Sequence, residues 1–146
     1  AHLHRFRLDL KTGIAKAERL DDLPIEFPRV RDEKAGLKHR FGYAITTHKD
    51  DEAGFNLGTR IVKFDLDRGE TKVCELGKGR APSEAVFAAA GASEDDGYLL
   101  SIVYDAARNG SDFIVLDAKD IEKGPIASVG LPQRVPFGFH GAWFGD

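Results

Sequence analysis

Methionine is absent from the 146 residues, and cysteine and tryptophan occur once each. Without a methionine the sequence holds no initiator, so Ala1 is not expected to be the first residue translated. A single cysteine, Cys74, excludes an internal disulfide framework and any multi-cysteine metal cluster. Excess charge of one sign is missing as well: 21 Lys and Arg stand against 24 Asp and Glu, a net charge of -3. With the signs mixed along the chain, no basic stripe faces a phosphate backbone, and nucleic acid is excluded as a partner. The longest wholly apolar run, 85–92, has 8 residues, against the ~20 that a spanning helix needs. No transmembrane segment is expected. The opening Ala1-His2-Leu3-His4 lacks the charged and apolar regions of a signal peptide. The expected compartment is the cytoplasm, with peripheral contact to a membrane left open. G-x-S-x-G, a phosphate-binding glycine loop, H-E-x-x-H and a nucleotide fingerprint are all missing.

What is present is alternation. His4, Phe6, Leu8 and Leu10 share one strand face while Arg5, Arg7 and Asp9 take the other. Lys11-Thr12-Gly13 turns the chain, and 14–20 runs back as the hairpin partner. The pattern returns where Val62, Phe64 and Leu66 alternate with Ile61, Lys63 and Asp65, followed by Asp67-Arg68-Gly69 and a run through Val73 and Leu76. Leu8-Asp9 and Phe64-Asp65 are 56 residues apart, and Leu116-Asp117 follows after another 52. Hairpin units recurring near 50 residues suggest blades of a β-propeller. The alternative is that an Asp between apolar residues is simply common at strand ends. Helix is expected only as short turns near 93–95 and 119–123. At this period 146 residues supply fewer than three blades, whereas closed propellers use ~4–8. The chain therefore belongs to a longer protein or closes by association. Asn109-Gly110 reads as a hairpin turn.

Few residues invite chemistry. His140 lies in Pro136-Phe137-Gly138-Phe139-His140-Gly141, where flanking glycines permit close backbone approach and the aromatics are expected to make the surroundings dry. A neutral imidazole so placed suits a transition metal; the alternative is a core histidine bonded to a carbonyl. Glu26 sits between Ile25 and Phe27, and Glu84 leads into the most apolar run. A carboxylate facing inward there needs a donor such as a ligand histidine N–H; the alternative is an outward strand position. His2, His4, His39 and His48 read as surface or loop residues. Cys74 reads as a structural thiol, having no neighbouring group to lower its pKa.

The ordered series Leu3-His4-Arg5-Phe6 with Asp9-Leu10, Glu26-Phe27-Pro28-Arg29, Arg40-Phe41-Gly42-Tyr43-Ala44, Glu94-Asp95-Asp96-Gly97-Tyr98-Leu99-Leu100-Ser101 and Pro136 to Gly141 resembles the C-terminal part of carotenoid cleavage oxygenases. The resemblance runs along nearly the whole chain. It implies an all-β fold, the antiparallel blades of a seven-bladed β-propeller, present here as an incomplete C-terminal portion of roughly the last two to three blades (1–146) with no internal domain boundary. It also implies non-haem Fe(II) on four histidines from different blades, with His140 as the last ligand and Glu26 and Glu84 as carboxylates that hold ligand histidines. The activity implied is oxidative cleavage of a carbon–carbon double bond in a carotenoid, apocarotenoid or stilbene-type substrate. Dioxygen and an apolar conjugated molecule are then the small-molecule partners, and the upstream part of the same protein completes the propeller. A non-catalytic β-repeat that has lost the iron site is the alternative. Ala85 and Ala88-Ala89-Ala90 depart from the family's Pro and Val-Pro-Arg at those places.

Overall fold

A computed structural model gives the fold over residues 1–47 and 57–145; His48 lies outside the described residues. Strands β1 (His4–Leu8) and β2 (Ala15–Arg19) form a hairpin. A four-stranded sheet follows in the order β3 (Ile25–Arg29), β4 (Phe41–Thr47), β5 (Leu57–Asp65), β6 (Glu70–Glu75). The next sheet comprises β7 (Arg80–Pro82), β8 (Val86–Ala89), β9 (Gly97–Asp105), β10 (Gly110–Asp117) and β11 (Ala127–Gly130). β7 and β8 pair with successive halves of the same side of β9, so this sheet is four strands wide. Every pairing is antiparallel. The all-β, antiparallel-blade architecture expected from the sequence is the one found.

The repeat has a physical cause. Leu8, Phe64 and Leu116 each stand at or next to the end of a strand, and the Asp that follows ties the turn leading to the next part of the unit. Asp9 Oδ1 accepts the N–H groups of Lys11 (2.9 Å) and Thr12 (3.2 Å). Asp65 Oδ1 accepts those of Asp67 and Arg68, each at 3.2 Å. Asp117 Oδ1 accepts that of Lys119 at 2.9 Å. An Asp side chain that bonds backbone two or three residues on is a standard way to set a turn. Asn109 supplies the left-handed position (φ 47°) in the β9–β10 turn.

The two large sheets pack face to face. Tyr43, Ile45, Ile61 and Cys74 meet Phe87, Leu99, Val103, Ile114 and Leu116 in one core. On the other face of the first sheet, Ile25, Ala44, Val62 and Phe64 are covered by Leu3 and Leu23. Both faces of β5 are thus buried, and simple alternation misplaces Lys63. It is buried, its ammonium reaching Asp95 (2.8 Å) and the Ala118 carbonyl (2.7 Å) above the Phe41 ring. The β1 row fares oppositely. Phe6 and Leu8 are 69% and 68% exposed, because nothing described covers that face, and Leu10 already lies in the turn. Among the described residues helix is limited to 3-10 turns at Ile121–Lys123, as expected, and at Asp32–Lys34, where none was expected, while 93–95 forms a bend and turn without helix.

The Glu94-Asp95-Asp96-Gly97 motif staples the sheets together. Glu94 Oε1 accepts the N–H groups of both Arg40 and Phe41 at 2.7 Å, Asp95 pairs with Lys63, and Asp96 pairs with Lys119 at 2.8 Å. At Gly97 a Cβ would strike the Ala88 carbonyl oxygen and come within 2.7 Å of the Phe87 ring. Only glycine lets β8 pair at that distance.

Candidate functional site

Two strands end their sheets on the same side of the molecule. β3 and the β7–β8 edge are terminal in the strand order, and each carries a proline, Pro28 and Pro82, the residue that strand edges tolerate. We call this the inner edge. β3 bulges between Glu26 and Arg29, with Phe27 held at φ 52°. A positive φ is uncommon for a non-glycine residue and is a genuine outlier for a bulky one, and bulges re-aim the side chains around them. Here the bulge places Phe27 against the C-terminal segment and points Arg29 at the β7–β8 connector.

Glu84 occupies that connector with its side chain 3% exposed. Its Oε1 lies 3.1 Å from His140 Nδ1. Its Oε2 accepts the Gly141 N–H at 2.9 Å and Arg29 Nη1 at 3.1 Å. The same Arg29 nitrogen donates to the Gly141 carbonyl (3.0 Å), and Nη2 to Asp32 Oδ1 (2.9 Å). A carboxylate accepts, so the Nδ1 proton of His140 is directed at Glu84 and the Nε2 lone pair is left for another partner. The His140 side chain is 73% exposed, so among the described residues the dry surroundings expected from the flanking aromatics are not found: Phe139 is itself 72% exposed, and Phe27 meets the ring edge-on at 5.7 Å. Phe139 meets Phe27 at 6.4 Å.

The segment that delivers His140 crosses the second sheet's open face. Val135 N–H donates to Ser111 Oγ (3.0 Å), and Arg134 lies over the Tyr104 ring at 4.9 Å. Beneath the segment is a cleft of about 310 Å³ with Leu100, Ile102, Phe113, Phe137 and Trp143 among its walls and both Glu84 and His140 at one side.

The structure therefore brings His140 and Glu84 together. Glu26 is exposed on β3 and makes no hydrogen bond to a histidine among the described residues. His2 lies 3.1 Å from the Leu23 carbonyl and 3.0 Å from Arg19 Nη2, while His4 and His39 face backbone carbonyls two residues away. No group of three ligating side chains occurs among the described residues. One tethered imidazole fits a metal as a single ligand of a larger set. Cys74 is buried, and burial pushes its thiol up, away from nucleophile chemistry. Arg29 and Phe27 carry no signal that alternation can read. Only the Glu-Phe-Pro-Arg string holds a hint, since proline disfavours right-handed helical backbone at the residue before it.

Stacked antiparallel blades with polar groups gathered at a shared inner edge define a β-propeller type of protein. The chain belongs to the carotenoid cleavage oxygenase family: the family described as Retinal pigment epithelial membrane protein matches residues 1–145. It is 38% identical to carotenoid 9,10(9',10')-cleavage dioxygenase 1 of Pisum sativum over 94% of this chain and 28% of that protein. It is 37% identical to a carotenoid cleavage oxygenase of Mycobacterium tuberculosis over 97% of this chain and 28% of that one. Among solved structures, the lignostilbene dioxygenase of Pseudomonas brassicacearum superposes with a TM-score of 0.92 at 28% identity, covering 99% of this chain and 32% of that chain. A cobalt-substituted Synechocystis apocarotenoid oxygenase gives 0.90 at 28% identity, over 99% and 30%. The chain thus spans under a third of these relatives. No helix among the described residues is long and apolar enough to cross a membrane.

Proposed function

We propose that residues 1–146 are the C-terminal two to three blades of a single propeller domain in a non-haem Fe(II) dioxygenase. The whole protein cleaves a carbon–carbon double bond of a carotenoid, apocarotenoid or stilbene-type molecule, acting in the cytoplasm. The observation that carries this reading is the His140–Glu84 pair at 3.1 Å on the inner edge. Bound iron supplies activation of dioxygen. His140 holds it through Nε2, and Glu84 fixes the ring and its tautomer through Nδ1, the usual arrangement for a ligating histidine. Glu26, on the same edge, holds an imidazole contributed from outside the described residues. The apolar cleft beside His140 supports an apolar substrate, since its walls offer hydrophobic and aromatic contact with few polar groups. The upstream blades supply the remaining ligands.

The test compares iron content and turnover in the full-length enzyme, its His140→Ala variant and the isolated 146-residue chain. His140→Ala is expected to abolish cleavage with an unchanged circular dichroism spectrum, because the exposed ring serves the metal more than the core. The isolated chain is expected to bind iron weakly and show no turnover, one imidazole being too few. Full turnover in His140→Ala, or stoichiometric iron and turnover in the isolated chain, overturns the reading.

A further inference from the structure

We propose that Arg29 is the positioning residue that holds His140 in register for the metal, acting through Glu84 and the Gly141 carbonyl. This deepens the reading of His140 as an iron ligand and rests on it. His140 cannot place itself. Its ring is 73% exposed and packs edge-on against Phe27, so its direction depends on Glu84 and on the backbone it hangs from. Both are in the grip of one guanidinium. Arg29 Nη1 lies between Glu84 Oε2 (3.1 Å) and the Gly141 carbonyl oxygen (3.0 Å), while Nη2 is anchored on Asp32 (2.9 Å). The Gly141 N–H closes the ring of contacts on the same Glu84 oxygen at 2.9 Å. Thus Arg29 and Glu84 together hold the residue after the histidine by both its N–H and its C=O. A Cβ on Gly141 would come within 3.2 Å of Val86, so the segment is seated close against the sheet.

This arrangement needs arginine. A planar guanidinium presents five N–H donors in a fixed fork and can serve three acceptors from three segments at once. Lysine offers a point charge on a flexible stem, enough to stay near Glu84 but unable to reproduce the fork. The β3 bulge at Glu26–Arg29, with Phe27 at φ 52°, is the backbone device that aims it.

The experiment uses full-length protein carrying Arg29→Ala, Arg29→Lys or His140→Ala. It reads the Fe(II) dissociation constant by chelator competition without substrate, the ligand-field absorption of the Co(II)-substituted protein, and hydrogen exchange of residues 136–145 in metal-free protein. Arg29→Ala is expected to raise the iron dissociation constant roughly 10–100-fold, the usual loss when a group behind a metal ligand is removed. It also shifts the Co(II) bands and speeds exchange of 136–145, while the β9–β10 peptides exchange as before. Arg29→Lys recovers part of each change, and it carries the test alone if the alanine variant fails to fold: a wild-type dissociation constant and exchange rate in Arg29→Lys then overturn the proposal. If His140→Ala weakens iron binding but Arg29→Ala leaves affinity and Co(II) bands unchanged, the Arg29 proposal falls and the ligand assignment stands. If His140→Ala leaves iron affinity unchanged, the iron reading falls and the Arg29 proposal falls with it.

Discussion

Asp65 does two jobs with one carboxylate. One is the turn bond described above, legible in the sequence because the apolar-Asp pattern recurs. The other is a bidentate pair with Arg40, whose Nε donates at 2.8 Å and whose Nη2 reaches the second oxygen. The Arg40 hydrogen bond, chiefly, holds the carboxyl down to about 2 from its ordinary 3.8. Because the folded value lies below the unfolded one, the contribution is complete above about pH 4 and is lost as pH falls towards about 2. Thermal unfolding of the wild-type protein and of Asp65→Asn between pH 7 and pH 2 measures it. The variant is expected to be less stable at neutral pH, with the two curves converging in acid; parallel curves would sink the assignment. Arg40 is 25 residues from Asp65, a distance no short pattern spans. The same limit applied at Glu84. Period-2 alternation places it on a strand, whereas it sits in a connector, where alternation has no meaning. His140 likewise is no core residue, and among the described residues its ring faces the Glu84 carboxylate rather than a backbone carbonyl.

Strands with clear turns were legible as elements: the β1–β2 and β5–β6 hairpins follow from alternation and Gly-bearing turns. The sharing of β9 by β7 and β8 was not, because both are short and their partner is a non-local choice. Nor does Ala127–Gly130 carry a pattern that marks it as an edge strand. Between elements, Lys63 pairs with Asp95, joining β5 to the loop before β9 with the lysine side chain only 5% exposed. Removing one member of a buried pair strands the other, whereas replacing both with apolar groups can be nearly neutral. Asp95→Ala is therefore expected to destabilise the protein by about 3 kcal/mol in urea unfolding, and Lys63→Met combined with Asp95→Ala by clearly less. A single-variant loss below about 0.5 kcal/mol, the level of an ordinary surface change, would show that the staple is not structural.

Across the whole molecule, the local and the distant have been divided between scaffold and site. The hairpins join residues only a few positions apart, while Arg29 to Glu84, Glu84 to His140 and Arg29 to Gly141 span 55, 56 and 112 residues. Closing a 56-residue loop costs about 2 kcal/mol more entropy than closing a hairpin turn, and non-local pairings form late for that reason. Pulsed hydrogen exchange during refolding of the full-length protein should find β9–β10 amides protected before the Gly141 amide; simultaneous protection would refute the order. Time thus enters the design. In that order the histidine docks only after the sheets that receive it exist, and contacts at the margin of a fold open at low free-energy cost. A molecule caught partway open is a set of intact blades that has released its C-terminal strap, and with it His140.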